Sequence, residues 1–361
     1  MPETTAVKFE VKYLQILDET GKADEKLMPK LSKEQILRMY ELMVEGRIFD
    51  DILFKLQREG RVLTFAPGKG QEAAQVGSVL AMEKDDWIAP AFRENTAFIA
   101  LGMPMDVIIQ YWGGDERGNK MPDGINSLPV AIPVGGHITH AVGMAWAFKL
   151  QKKKSTMVCF FGDGASSKGD FYEGLNMAGV FKAPLVAICQ NNQWAISVPV
   201  KQQTAAETLA QKAIAFGFEG IKVDGNDVFA MYKATKDALE KVKAGKGPVL
   251  IEAYTYRLSD HTTADDAKKY RDPKEVEKWV LKDPIVRLKK YVIEKKLASE
   301  AELQKIEGSA RKKVDDAVKR AEQIQPAGPT DIFEYTYSKK PWHVQEELED
   351  FKRTYSEKVD R

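Results

Sequence analysis

The chain is predicted to fold as an α/β protein: a doubly wound, mostly parallel sheet with helices on both faces, flanked by an N-terminal arm and C-terminal helices. Two observations carry this expectation. Short uninterrupted apolar runs at 157–161 and 185–189 read as strands buried on both faces, as parallel strands are. Around them helical periodicity alternates with further short apolar runs, with glycine or proline at the changes, which is the pattern of βαβ units.

Taken in order, residues 1–31 carry weak pattern and read as an arm. Ser32 and Gln35 have capping-box spacing, and Ile36, Met39, Leu42 and Met43 follow at helical intervals. Residues 61–65 are a short strand candidate ending before Pro67. Strand 157–161 meets Gly162-Asp163-Gly164, and a helix is expected from Gly169 to Lys182, broken by Ala183-Pro184. Strand 185–189, a helix over 205–216, a strand around Ile221-Lys222-Val223, a helix over 228–244 and a strand over 249–256 complete the alternation. From Pro273 the chain is charged and helical as far as the turn at 325–329. The expected division is an arm at 1–31, one α/β domain with its C-terminal helices at 32–325, and a tail at 326–361.

Composition excludes several classes. The 361 residues hold 54 Lys and Arg against 53 Asp and Glu, a net charge of +1, so a general affinity for nucleic acid is not expected. No apolar stretch is long enough to cross a bilayer. The first residues lack the basic-then-apolar order of a secretory signal. Cys159 and Cys189 lie inside apolar strands as buried thiols rather than a disulfide or zinc framework. A cytoplasmic protein without membrane or nucleic-acid partners is expected.

The densest chemistry is Gly162-Asp163-Gly164-Ala165 after one strand and Gln190-Asn191-Asn192-Gln193-Trp194 after the next. Ligands of open α/β sheets bind at the carboxyl ends of strands. There the Asp163 carboxylate and the Asn192 amide oxygen can meet on one hard cation. Magnesium takes about six oxygens and leaves several of its positions to phosphate and water. The glycines allow backbone N–H groups close to phosphate oxygens, and the helix that follows offers its positive end. Either piece alone is an ordinary turn; together they form a candidate site.

Three other features need weighing. Gly68-Lys69-Gly70-Gln71-Glu72-Ala73 has dinucleotide-motif spacing, but Pro67 separates it from any strand and it reads as a structural turn. His137 and His140, three apart, have no third ligand nearby and read as structural histidines. The block 257–266, continuing to Tyr270-Arg271, is rich in proton-exchanging groups but by itself reads as a solvated loop.

With the flanking Gly169-Asp170-Phe171-Tyr172-Glu173-Gly174-Leu175-Asn176 and Ala195-Ile196-Ser197, the Gly-Asp-Gly and Asn-Asn pieces resemble a thiamine diphosphate signature. The likeness is to the α subunits of the decarboxylase component of 2-oxo acid dehydrogenase complexes. It spans about residues 30–330 and is nearest to the bacterial pyruvate-specific members. The fold so implied is the thiamine diphosphate-binding fold.

The resemblance implies that Asp163, Asn192 and the backbone carbonyl of Trp194 ligate Mg2+. It implies that Gly164, Ala165 and Arg93 meet the diphosphate, and that main-chain groups of Ile132 and Val134 hold the aminopyrimidine. Relatives usually have tyrosine where Phe92 stands, so that hydroxyl is absent and Phe92 is left as packing. It also turns the 257–266 block into an active-site loop. His261 would lie at the cofactor and either position the substrate carboxylate or transfer a proton. Thr262 follows His261 where mitochondrial relatives carry a phosphorylated serine, so kinase control is not assumed.

The activity so implied is oxidative decarboxylation of pyruvate with transfer of the acyl group to the lipoyl-bearing acyltransferase. A branched-chain 2-oxo acid or acetoin relative is the alternative. The glutamate such enzymes need beside the aminopyrimidine is not identified in this chain. In two-subunit members it comes from a β chain, so half an active site in an α2β2 assembly is expected.

Overall fold

The computed structural model describes residues 3–334 and 336–359. Six strands form one parallel sheet: β1 (Lys12–Leu14), β2 (Trp87–Ala89), β3 (Met157–Gly162), β4 (Leu185–Asn191), β7 (Glu219–Asp224) and β8 (Val249–Tyr254). Their spatial order is β1-β7-β8-β4-β3-β2. A two-stranded antiparallel ribbon, β5 (Trp194–Ala195) and β6 (Val198–Pro199), projects beyond β4.

Pleating explains why the central strands are apolar without interruption. Val158, Phe160, Val186 and Ile188 point into one core, while Met157, Cys159, Phe161, Leu185, Ala187 and Cys189 point into the other. The first core is covered by α1 (Lys33–Arg58), α2 (Glu72–Leu80), α3 (Asn95–Leu101), α8 (Val228–Lys243), α10 (Pro284–Glu294) and α11 (Glu300–Glu322). The second is covered by α5 (Gly136–Leu150) and α6 (Gly169–Phe181). Helix α4 (Met105–Trp112) packs on α11, and α7 (Val200–Gln203), α9 (Pro273–Val280) and α12 (Trp342–Val359) lie outside these layers. The capping box at Ser32 and Gln35 forms as the spacing predicts. Both cysteines are free and buried.

Four elements depart from the sequence expectation. The N-terminal arm supplies the edge strand β1, and Ile16 and Leu17 are buried behind it. Buried Asp227 holds it there: one carboxylate oxygen accepts from the N–H groups of Ile16 and Leu17, both at 2.6 Å, and the other caps α8 through Phe229 and Ala230. Arg287, also buried, donates to the Leu17 carbonyl (2.9 Å) and to Asp224 (2.7 Å). Residues 61–65 are irregular rather than a strand, because Leu63 pairs with the Trp112 carbonyl and Phe65 with Thr263 instead of both joining one ladder. The helix expected over 205–216 is a 3-10 turn at Ala210–Phe216, and the tail after 325 carries α12.

Candidate functional site

Register brings the two halves of the site together. Gly162 of β3 is paired with Gln190 of β4, so Asp163 and Asn192 leave adjacent strands at the same edge of the sheet. A cavity of about 220 Å3 opens there. Arg93, Val134, Asp163, Gly164, Ala165, Asn192, Trp194 and His261 all line it, whereas Ile132 is half exposed and lies off its wall.

Asp163 is buried and accepts a hydrogen bond from Gln203 at 2.7 Å. Burial pushes its pKa up to about 6, against the opposing pull of that hydrogen bond and of Arg257. Asn192 accepts from the Trp194 N–H and donates to Gln71, each at 3.3 Å, and the Trp194 carbonyl accepts from Arg257 at 3.1 Å. The donor set is therefore a carboxylate, an amide oxygen and a backbone carbonyl, which suits a hard cation rather than a soft one. Gly164 is required here: a Cβ on it would stand 2.9 Å from the Cβ of Ala195. The residues Asp163–Ser167 form a 3-10 turn, and α6 begins only at Gly169.

The 257–266 block is not a solvated loop. The His261 N–H donates to Asp265 at 2.9 Å, Tyr270 donates to the same carboxylate, and Arg271 donates to the Arg257 carbonyl at 2.5 Å. Thr263 is buried and pairs with Phe65 in both directions. Arg93 and Arg257 converge on His261. Arg93 spends Nη1 on the carbonyls of Pro67 and His261, and its Nη2 lies 3.1 Å from His261 Nδ1; Nη1 of Arg257 lies 3.3 Å from that nitrogen. A guanidinium only donates, so Nδ1 accepts and the ring proton sits on Nε2. Burial and the two neighbouring cations push the His261 pKa down to about 3, so the ring is neutral at pH 7. The Phe92 ring packs edge-on to it at 6.1 Å.

Four polar residues of this region carry no role in the sequence reading. Gln71, Glu94 and Gln190 line the cavity, and Arg257 clamps it. Gln190 and Arg257 stand in runs singled out by sequence; Gln71 stands in the 68–73 run that reads only as a turn, and Glu94 follows Arg93 with no signal of its own. His137 also lines the cavity, with Nε2 2.7 Å from the Phe160 carbonyl, while His140 is exposed and bonds to Gly136; the two do not converge. Gly70 is a structural turn, as expected: its φ is +96°, and a Cβ would meet the Tyr256 carbonyl at 2.4 Å.

A model of the dehydrogenase E1 component family matches residues 40–330. This chain belongs to that family. It is 44% identical over 339 residues to the pyruvate dehydrogenase E1 component subunit alpha of Acholeplasma laidlawii, covering 93% of this chain and 98% of that one. It is 42% identical to the subunit of the same name from Staphylococcus aureus strain Mu50, with 98% and 95% covered. The counterpart from Staphylococcus epidermidis is 40% identical with the same coverage. The family is thiamine diphosphate-dependent. The residues around the cavity fit that cofactor: the buried guanidinium groups of Arg93 and Arg257 converge beside the opening, where an anion can meet them, and the Asp163 carboxylate, Asn192 amide and Trp194 carbonyl offer oxygen donors of the kind a hard cation takes. Among the described residues no helix is long and apolar enough to cross a membrane.

Proposed function

We propose that this E1 chain is the α subunit of a pyruvate-decarboxylating enzyme that uses thiamine diphosphate and Mg2+. The observation that carries the proposal is the meeting of Asp163 and Asn192 at one sheet edge, beside Arg93, Arg257 and His261. Asp163, Asn192 and the Trp194 carbonyl would hold the cation. The Gly164 and Ala165 N–H groups would face the diphosphate. Of the two main-chain contacts implied for the aminopyrimidine, Val134 lies on the cavity wall and Ile132 does not.

Thiamine diphosphate, when bound, supplies the electron sink for loss of carbon dioxide from a 2-oxo acid. This chain's part is positioning and charge. The neutral His261 offers its Nε2–H to a carboxylate or carbonyl oxygen of the substrate, and the arginines that fix this tautomer add positive charge behind it. Phe92 and Ile196 line the same cavity and give it part of its apolar wall.

The cavity supports a shared site. Complete small-molecule sites run to roughly 300–1,000 Å3, and about 220 Å3 on this chain falls short of that range. We therefore assign the missing wall, with the cofactor-activating glutamate, to a β chain in an α2β2 assembly located in the cytoplasm. A lipoyl-bearing acyltransferase is the acyl acceptor. The test is steady-state decarboxylation by the α–β assembly. Pyruvate should be preferred over 3-methyl-2-oxobutanoate in kcat/KM; the reverse order would replace the pyruvate assignment with a branched-chain one.

A further inference from the structure

A second polar cavity, of about 340 Å3, lies at the opposite end of the sheet, where β3 and β4 begin. Six residues of strand at about 3.3 Å each separate it from the catalytic edge. Lys149, Lys152, Lys153, Lys154, Lys182 and Lys243 line it, brought there by the ends of α5, α6 and α8 and by the loop between α5 and β3. Its carboxylate, Glu83, is paired with Lys243 at 2.8 Å. Lys149 donates to the Phe181 carbonyl at 2.5 Å, and Lys153 lies over the Phe148 ring. Lys152, Lys154 and Lys182 are exposed and make no ion pair among the described residues.

Basic residues near helix carboxyl ends have an ordinary explanation in the helix dipole. That explanation covers Lys149, Lys182 and Lys243, and it leaves the floor of the cavity unexplained. Ser155 is 9% exposed, lines the cavity and has no hydrogen-bond partner among the described residues. Thr156, fully buried beside it, also has an unpartnered hydroxyl. The backbone N–H groups of Lys154 and Ser155 donate to no protein acceptor among the described residues. Buried polar groups are normally paired, so the Thr156 hydroxyl, buried and unpartnered in the cavity floor, marks a missing partner, and the Ser155 hydroxyl and the two N–H groups lie beside it under a ring of cations.

We propose that this cavity binds a small di- or triphosphate. Many converging donors and an excess of positive charge call for several oxyanion acceptors and more than one negative charge, which a single carboxylate does not supply. Pro184 and Val242 are the apolar residues of the lining, and the lysine stems add the rest of its apolar surface, so the charged heads rather than the walls set the ligand's chemistry. The site is independent of the catalytic edge and of any reading of it.

The test is calorimetric titration of the full chain with inorganic pyrophosphate in metal-free buffer of low ionic strength, comparing the parent with Lys154→Ala/Lys182→Ala. Both lysines are exposed and unpaired, so the variant should fold, which circular dichroism checks. A saturable site in the parent whose affinity falls about tenfold or more in the variant is the expected result. No saturable heat in the parent overturns the proposal. Equal affinity in the two proteins also overturns it, because the binding would then belong to the arginines of the catalytic cavity.

Discussion

His261 stands between two guanidinium groups, and its protonation state follows from that placement. A base whose folded pKa is depressed to about 3 is neutral throughout the working range and delivers no proton as an imidazolium. His261→Ala should lower kcat by about a hundredfold, the usual cost of removing one positioned hydrogen-bond donor. Thiamine diphosphate affinity, measured by calorimetry, should change far less. Asp163 runs the other way. Its folded pKa is raised from 3.8 to about 6, so in the metal-free chain its contribution to stability is full below 3.8 and is lost as pH rises through 6. In the proposed site the cation displaces that proton. Mg2+-dependent cofactor affinity should therefore be about tenfold weaker at pH 5 than at pH 7 and flat above, in titrations at both values.

At this scale the sequence was legible where a residue's place depended on its own strand. Asp163 and Asn192 end strands that announce themselves by unbroken apolar runs. Gln71 and Glu94 reach the same cavity through loops whose course is set by distant packing; the glycine spacing around Gln71 signals a turn, not a cavity wall, and Glu94 carries no mark of its own. Ile132 sits two residues from Val134 yet falls off the wall, a difference of loop path that spacing does not encode.

At the scale of elements, the central βαβ units were readable because both faces of β3 and β4 are buried and periodicity changes sharply at their ends. The edge strand β1 was not. Its three residues are mostly exposed, and its place depends on Asp227, more than two hundred residues away. Segment 61–65 has strand-like composition, but its partners are a helix end and the His261 loop, so no ladder forms. The Asp227 clamp gives a measurable prediction. Asp227→Ala leaves buried N–H groups of Ile16, Leu17, Phe229 and Ala230 without acceptors, and each loss is worth about 1 kcal/mol or more. The desolvation that raises the Asp227 pKa offsets part of this. Thermal or urea unfolding should show a net loss of about 2–4 kcal/mol, and Asp227→Asn should lose less.

At the scale of the whole molecule, a single sheet offers one wall of a cofactor cleft. On the proposed reading Asp163, Asn192, Arg93, Arg257 and His261 bind and orient, and the glutamate for the aminopyrimidine is assigned to the partner chain. The isolated chain should accordingly decarboxylate pyruvate negligibly, and mixing it with its β partner should restore turnover in a carbon dioxide release assay. Full activity of the α chain alone would remove the shared-site account. The fold class and the placement of the site at one sheet edge were readable from strand alternation alone. The arrangement of the second wall was not, because the proposed account assigns its residues to another chain.

The most direct test of the account is calorimetric titration of thiamine diphosphate, with Mg2+ present, into the α–β assembly containing the parent chain, Asp163→Ala or Asn192→Ala. Loss of affinity by more than about tenfold in each variant is predicted, as expected when an inner ligand of the cation is removed. Binding by both variants as tight as by the parent would contradict it.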